Sequence, residues 1–275
     1  MRKILSILSL LILGLVVAGC GETTTKDNRP TLKVGMECAY APFNWTETKK
    51  SDTNVPISNF MGAYAEGYDV QMARLIADAL DMKLEVYAIE WGGLIEALNT
   101  NQIDLVIAGM SPTAERKETI DFTDKYYSGH HVFVVAANSE LANATSFDAF
   151  VGKKVSGQTG TIYADLAAQA VEKGMVAATN KDTVSQIVLD INNSLVDATI
   201  VEYPVALGLC ANNSNLKYVD LGSNVFDVNE EDIIVSIGLR KNYELTSQIN
   251  AVLANISETQ RQELMNNAVN NAPAA

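Results

Sequence analysis

Apolar and polar positions along the chain change their spacing several times, and each change marks an element. Residues 32–36, LKVGM, are a short apolar run that stops at the polar loop ECAYAPFNW, the pattern of a strand. The polar stretch TETKKSDTNVPISNFMGAY (46–64) comes next and reads as a surface excursion. From 67 to 81 the spacing becomes helical, with Val70, Ala73, Ile76, Ala77 and Leu80 recurring at i, i+3 and i+4. KLEVYAI (83–89) alternates as a strand, WGGLIEALNT predicts a short helix, and IDLVIAG (103–109) predicts the next strand.

The alternation then resumes. HVFVVAA (131–137) and KKVSG (153–157) predict strands, and GTIYADLAAQAVEKG (160–174) predicts a helix ended by Gly174 at its C′ position. SQIVLDINN is helical, LVDATIVE (195–202) is a strand, and the tail from 243 to 269 is amphipathic helix. Strands alternating with helices specify an α/β fold in which each unit is a mostly parallel sheet flanked by helices. Two such units leave a cleft between them, and in open sheets ligands sit off the carboxyl ends of strands. ECAY, SPTAER and VEYP each succeed a predicted strand and so share that location.

The first twenty residues break the alternation. A basic start, MRK, an apolar stretch, ILSILSLLILGLVV, and the ending VAGC have the layout of a secretory signal. VAGC resembles the lipobox of bacterial lipoproteins, with Val17 where leucine is commonest; the likeness implies cleavage before Cys20 and diacylglycerol on its sulfur. GETTTKDNRP (21–30) lacks apolar spacing and reads as a flexible tether, so folding is expected from about Thr31. Without Arg2 and Lys3, the 20 basic residues fall to 18 against 33 acids, a net charge of −15. That surface repels phosphate backbones and anionic lipid, so nucleic acid is not an expected partner and membrane attachment falls to the lipid anchor. Cys38 and Cys210 are expected as two separate buried thiols, and the adjacent His130 and His131 would face opposite ways on a strand. Neither pair has metal-ligand spacing, and no metal or cofactor is expected.

Three polar clusters carry the candidate chemistry. Arg116, in SPTAER, presents a fork of donors suited to a carboxylate, with Thr113 beside it in a turn fixed by Pro112; a solvated helix arginine is the alternative. Thr159, Gly160 and Thr161 open a helix, where unpartnered N–H groups and the dipole favour an anion; a plain cap is the alternative. Glu202 ends an apolar strand, where an acid is costly to bury without a partner. It could bond to local backbone or await a cation. A carboxylate site and an ammonium site together describe an α-amino acid.

GYDVQMARLIADAL, WGGLIEALNTNQIDLVIAGMSPTAERKETIDFTDKYYSG, GKKVSGQTGTIYADL and VDATIVEYPVAL together resemble the extracellular solute-binding proteins of family 3, the amino-acid receptors of ATP-driven importers. The likeness runs from Leu32 to about Leu264. It implies a two-lobed, type II periplasmic-binding-protein-like fold, with lobes at 30–131 plus 229–268 and at 132–228. It implies that Arg116 and Thr113 bind the ligand α-carboxylate, with Thr161 of the second lobe, and that Ser111 and the Gly109 carbonyl lie near the α-ammonium. Glu202 stands where the family usually has aspartate for that ammonium, and Gly160 replaces a common serine. Tyr40, Phe43 and Trp91 match aromatic walls, and Glu37 matches an acid that meets the cationic end of lysine or arginine in the basic-amino-acid receptors.

The resemblance implies capture of a polar L-amino acid by lobe closure, with the basic ones, arginine and lysine, among the candidates. A monomeric lipid-anchored receptor would deliver it to permease subunits with a separate ATPase subunit. GQTGT lacks the phosphate-loop pattern, so energy must come from a partner chain. Two other readings share these motifs: an enzyme of the same fold, resembling cyclohexadienyl dehydratase, and a surface sensor that binds without transport.

Overall fold

The computed structural model describes residues 27–273. The signal, the lipobox, Cys20 and most of the tether lie outside the described residues. The chain opens with β1 (Thr31–Met36) and then forms a small antiparallel sheet from β2 (Ala39–Tyr40), β3 (Asn44–Glu47), β4 (Val55–Pro56) and β5 (Tyr64–Glu66). The stretch at 46–64 is therefore not a loose excursion. Most of its polar residues face water, but Asn54, Ile57 and Ala63 within it and the flanking Trp45 and Ala65 are buried and hold the sheet against the core.

Next come α1 (Tyr68–Ala79), β6 (Lys83–Ala88), α2 (Leu94–Asn99), β7 (Leu105–Val106), α3 (Ala114–Thr119) and β8 (Asp121–Ser128). The second half supplies β9 (His131–Ala136), β10 (Lys154–Val155), α4 (Ile162–Glu172), β11 (Val176–Ala177), α5 (Val184–Asn192), β12 (Ala198–Glu202), α6 (Tyr203–Asn212) and β13 (Leu216–Val219). β14 (Ile234–Leu239), α7 (Thr246–Asn255) and α8 (Glu258–Asn271) complete the described chain. One sheet has the order β6-β1-β7-β14-β8 and the other β11-β10-β12-β9-β13. In the first, only β14 runs against its neighbours; in the second, only β9 does. The chain passes between sheets twice, at 129–130 and between β13 and β14.

Local chemistry accounts for most element ends. α1 starts where its amides find the loop before it: Tyr68 N donates to the Pro42 carbonyl at 3.0 Å and Asp69 N to that of Phe43 at 2.8 Å. Gly67 must be glycine there, because a Cβ would lie 2.4 Å from the Phe43 carbonyl oxygen at a φ of +125°. Ile76, Ala77, Ala73 and Val70 turn inward as their spacing predicts. Gly174 (φ +109°) closes α4, with Met175 N reaching back to the Ala170 carbonyl.

The tail is two helices rather than one, since Ser257 caps α8 by accepting from Gln260 N at 3.2 Å. The strand at 103–109 shrinks to Leu105–Val106, and Gly109, at φ +61°, leaves extended geometry and lines the cleft. The one at 153–157 shrinks to Lys154–Val155, and the loop expected at VEYP is the start of α6, with Pro204 in its first turn. Cys38 and Cys210 are free thiols among the described residues; Cys38 is buried as expected, whereas Cys210 is only half-buried.

Candidate functional site

Loops leaving β1, β6 and β7 in the first sheet face the start of α4 and the end of β12 in the second. Between them lies a cavity of about 20 Å³ lined by Glu37, Tyr40, Trp91, Gly109, Ser111 and Arg116 on one side and Gln158, Thr161, Ile162, Tyr163 and Glu202 on the other. Each half sends polar groups to the other.

Arg116 occupies the third position of α3. Its Nη1 donates to the Ser111 carbonyl at 2.8 Å and its Nη2 crosses to the Gly160 carbonyl at 3.2 Å. Trp91 Nε1 donates to that same carbonyl at 2.9 Å, and the guanidinium carbon sits 5.1 Å from the centre of the Trp91 ring. A planar cation over an indole face is a favourable pairing. Burial draws the guanidinium below its ordinary value, while arginine stays charged at any physiological pH. The solvated alternative for this residue is therefore not what the fold adopts.

Thr113 caps α3, its Oγ1 accepting from Arg116 N at 3.4 Å, and it lies outside the cavity. Thr161 caps α4: its Oγ1 accepts from Tyr163 N at 3.1 Å and donates to the Gln158 carbonyl at 2.8 Å. Gly160, at φ +71°, aims its carbonyl across the cleft. Thr159 points away: it is exposed and its amide serves the Lys181 carbonyl at 2.8 Å. Of the three helix-start residues, only Thr161 lines the cavity, while the Gly160 carbonyl ties down Arg116 and Trp91 at its edge.

Glu202 is buried and accepts a hydrogen bond from Tyr40 Oη, which is in turn bonded to Tyr163 Oη. Burial, opposed by the Tyr40 hydrogen bond, pushes its carboxyl up to about 7. The partner expected for it is a cation; here that position is filled by a phenol from the opposite half. Phe43 is fully buried and lines no part of the cavity. It stacks beneath Tyr40, with ring centres 5.3 Å apart at 3°, so it backs the wall instead of forming it. A Cβ on Gly109 would come within 2.8 Å of the Tyr40 ring, so glycine at that position lets the ring lie flat. Ser111 is buried beside it, its Oγ donating to the Asp232 carbonyl at 3.4 Å.

Glu37 enters from the loop after β1 and accepts from Gln158 Nε2 at 3.2 and 3.4 Å. The same amide nitrogen donates to the Asp182 carbonyl at 2.9 Å. Burial raises Glu37 to about 7, with the Gln158 bond opposing. Gln158 and Tyr163 escape a reading of the sequence. Both flank the helix start in GQTGTIY, and a polar pair bracketing a suspected anion site is the signal that could have found them. Among the described residues no group of three or more His, Cys, Asp or Glu could hold a metal ion.

A volume of about 20 Å³ admits roughly one water, far below the several hundred of a ligand pocket. Anything larger requires the halves to part or Tyr40 to swing aside. The arrangement can then offer a guanidinium at one end, a carboxylate at the other and a second carboxylate to one side.

Residues 32–269 match the bacterial extracellular solute-binding proteins, family 3. The arginine-binding extracellular protein ArtP of Bacillus subtilis is 29% identical over 260 residues, covering 94% of both chains. A probable histidine-binding protein of Campylobacter jejuni is also 29% identical, over 251 residues, covering 86% of this chain and 91% of its own. Among solved structures, an amino acid ABC transporter substrate-binding protein of Streptococcus pneumoniae bound to L-arginine superposes with a TM-score of 0.74. That alignment has 25% identity and covers 89% of this chain and 97% of the other.

Proposed function

Since the chain belongs to the bacterial extracellular solute-binding proteins of family 3, we propose that it captures an L-amino acid between its two sheets and passes it, unaltered, to a membrane permease. The observation that carries this reading is convergence: Arg116 from the first half and Glu202 from the second enter one cavity, opposite charges suited to the two ends of a zwitterion. The ligand carboxylate takes the place of the Gly160 carbonyl on Arg116, and its ammonium takes the place of the Tyr40 hydroxyl on Glu202. Contacts to both halves make the closed arrangement the one the ligand stabilises.

The side chain points to Glu37. A guanidinium or ammonium there would draw down a carboxyl that burial holds at about 7, which favours a basic amino acid; the arginine-binding relatives support the same choice. Attachment through a lipid on Cys20 completes the proposal and keeps the receptor at the outer face of the cell membrane.

Thermal unfolding of protein stripped of ligand, against the twenty amino acids, tests it. A ligand at a hundredfold excess over its Kd stabilises by about 2.7 kcal/mol, and mass spectrometry should recover it unchanged. If none of the twenty moves the transition, capture of an amino acid is wrong. If a neutral one alone does so, only the role of Glu37 fails. Chemical change in the recovered ligand would favour an enzyme of this fold. Metabolic labelling with palmitate, lost in Cys20→Ala, tests the anchor.

A further inference from the structure

Asp69, the second residue of α1, is fully buried and lines no part of the amino-acid cavity. A carboxyl held out of water is costly unless its oxygens find donors. Here the donors are specific. Asn44 Nδ2 donates to Oδ2 at 2.8 Å and Tyr126 Oη donates to Oδ1 at 2.6 Å, and both donor residues are themselves fully buried. Burial pushes the carboxyl up to about 6, against the pull of these two bonds and of the Gly109 amide. At pH 8 it is therefore ionised and can only accept.

An acceptor-only group fixes the direction of everything bonded to it. With its Nδ2 committed to Asp69, Asn44 has its Oδ1 left over, and that oxygen accepts from Cys38 N at 2.7 Å. With its proton committed to Asp69, the Tyr126 hydroxyl has its lone pairs left over, and it accepts from Gly109 N at 3.2 Å. Both amides matter to the cavity. Cys38 holds a φ of +56°, a conformation that is costly for a residue with a side chain and persists only where its surroundings fix it. Glu37, which lines the cavity, stands immediately before it, and Gly109 lines the cavity against the Tyr40 ring.

We propose that Asp69 is a positioning residue with two branches: through Asn44 it sets Glu37, and through Tyr126 it sets Gly109. This rests on the amino-acid reading for what the two positions meet, a cationic side chain at Glu37 and the α-ammonium beside the Gly109 carbonyl. The first branch then governs the choice among amino acids, and the second governs the grip on the part they all share. Every member of the wiring comes from the first half, from the loop after β1 to β8. It therefore stands whether or not the second half has closed, and the first face is ready before the ligand arrives.

Variants separate the branches. Asn44→Ala cuts the first, Tyr126→Phe weakens the second while keeping its ring stacked on Tyr68, and Asp69→Asn disturbs both. In calorimetry at pH 8, Asn44→Ala should weaken arginine binding about fivefold and glutamine binding by less than about twofold. Tyr126→Phe should weaken both by about threefold. A role in stability alone would lower the unfolding midpoints and leave the ratio of arginine to glutamine affinity as in the native protein, which overturns the proposal. Amide exchange of the ligand-free protein, followed by NMR, needs no amino acid at all. Asn44→Ala should speed exchange at Cys38 and spare Gly109; Tyr126→Phe should speed it at Gly109 and spare Cys38. Unchanged exchange at both amides, or acceleration at both in either variant, overturns the wiring. Should Asp69→Asn fail to fold, the two single-branch variants carry the test. If neither amino acid binds the native protein, the capture reading is at fault, and the exchange pattern still decides whether Asp69 holds the two loops.

Discussion

The two faces of the cavity hold their charge in different ways. The first sheet offers Arg116, a cation that cannot switch off, seated on the Trp91 ring and wired to two carbonyls. The second offers Glu202, a carboxyl that burial has pushed to about 7 and that leans on a phenol borrowed from across the cleft. One pole is therefore constant and the other titrates near pH 7. The carboxylate end of a zwitterion should meet the same site at any pH, whereas the ammonium end should meet one whose charge must be completed by binding.

Removing the constant pole should do most damage. Arg116→Ala is expected to weaken amino-acid binding by a hundredfold or more, about 2.7 kcal/mol, because the ligand carboxylate would be desolvated without a partner. Titration calorimetry reads this directly. A loss under about threefold would mean that the guanidinium serves the cross-cleft bond to Gly160 and not the ligand.

Changing the titrating pole should cost less and alter the pH profile. In the native protein an ammonium favours the ionised form of Glu202, so binding near pH 7 should release a proton and affinity should rise from pH 6 to pH 8. Glu202→Gln is expected to weaken binding roughly tenfold to fiftyfold at pH 8 and to flatten the part of that slope due to this residue. Without ligand the sign reverses. A carboxyl whose value is 4.5 unfolded and about 7 folded stabilises fully below 4.5 and loses that contribution as pH rises through 7. Glu37 behaves likewise, and Asp69, raised to about 6, loses its share earlier. His131, held at about 4, works the other way below 6.5, so the gain on acidification should flatten there. Denaturant midpoints of the stripped protein should therefore rise between pH 8 and 6.5. A fall would contradict the raised carboxyls.

Glu37 sits with Arg116 on the first face but shares the second face's chemistry. Glu37→Gln should reduce affinity for a basic amino acid about tenfold and leave a neutral one within about twofold. Equal losses for both would make Glu37 a structural partner of Gln158 instead of a selector. Competition between arginine and glutamine in one calorimetric series separates the two outcomes.

The same asymmetry explains what the sequence disclosed. Glu37 directly follows β1, while Trp91 and Arg116 lie in the first helical turns after β6 and β7, positions where residue type and place in the strand–helix order already imply chemistry. The strand–helix alternation likewise disclosed α1, β6, β9, α4 and β12, since the helices bury one periodic face and β9 and β12 are continuous apolar runs. What stayed hidden depends on contacts distant in sequence. The sheet formed by 39–66 escapes notice because its strands hold two to four residues and its buried positions are few. β14 joins the first sheet from more than a hundred residues away, beside β8, and no local pattern announces that pairing. Phe43 could not be told from Tyr40 by spacing, although one backs the wall and the other is the wall. The Tyr163–Tyr40–Glu202 chain needs both halves in place before it exists.

That chain supports the smallest and most discriminating test. If Tyr40 Oη competes with the ligand ammonium for Glu202, deleting it leaves the stacking on Phe43 intact and removes the competitor, together with its bond to Tyr163 Oη. It also takes away a hydrogen bond that lowers the Glu202 carboxyl, which should then titrate above about 7. Tyr40→Phe is therefore expected to bind its amino acid about threefold tighter than native at pH 8.5, where Glu202 is ionised in both, and more weakly at pH 6. The two affinity curves should cross. Uniform loosening at every pH would show that the hydroxyl holds the ligand itself, and the two poles would then differ only in residue type.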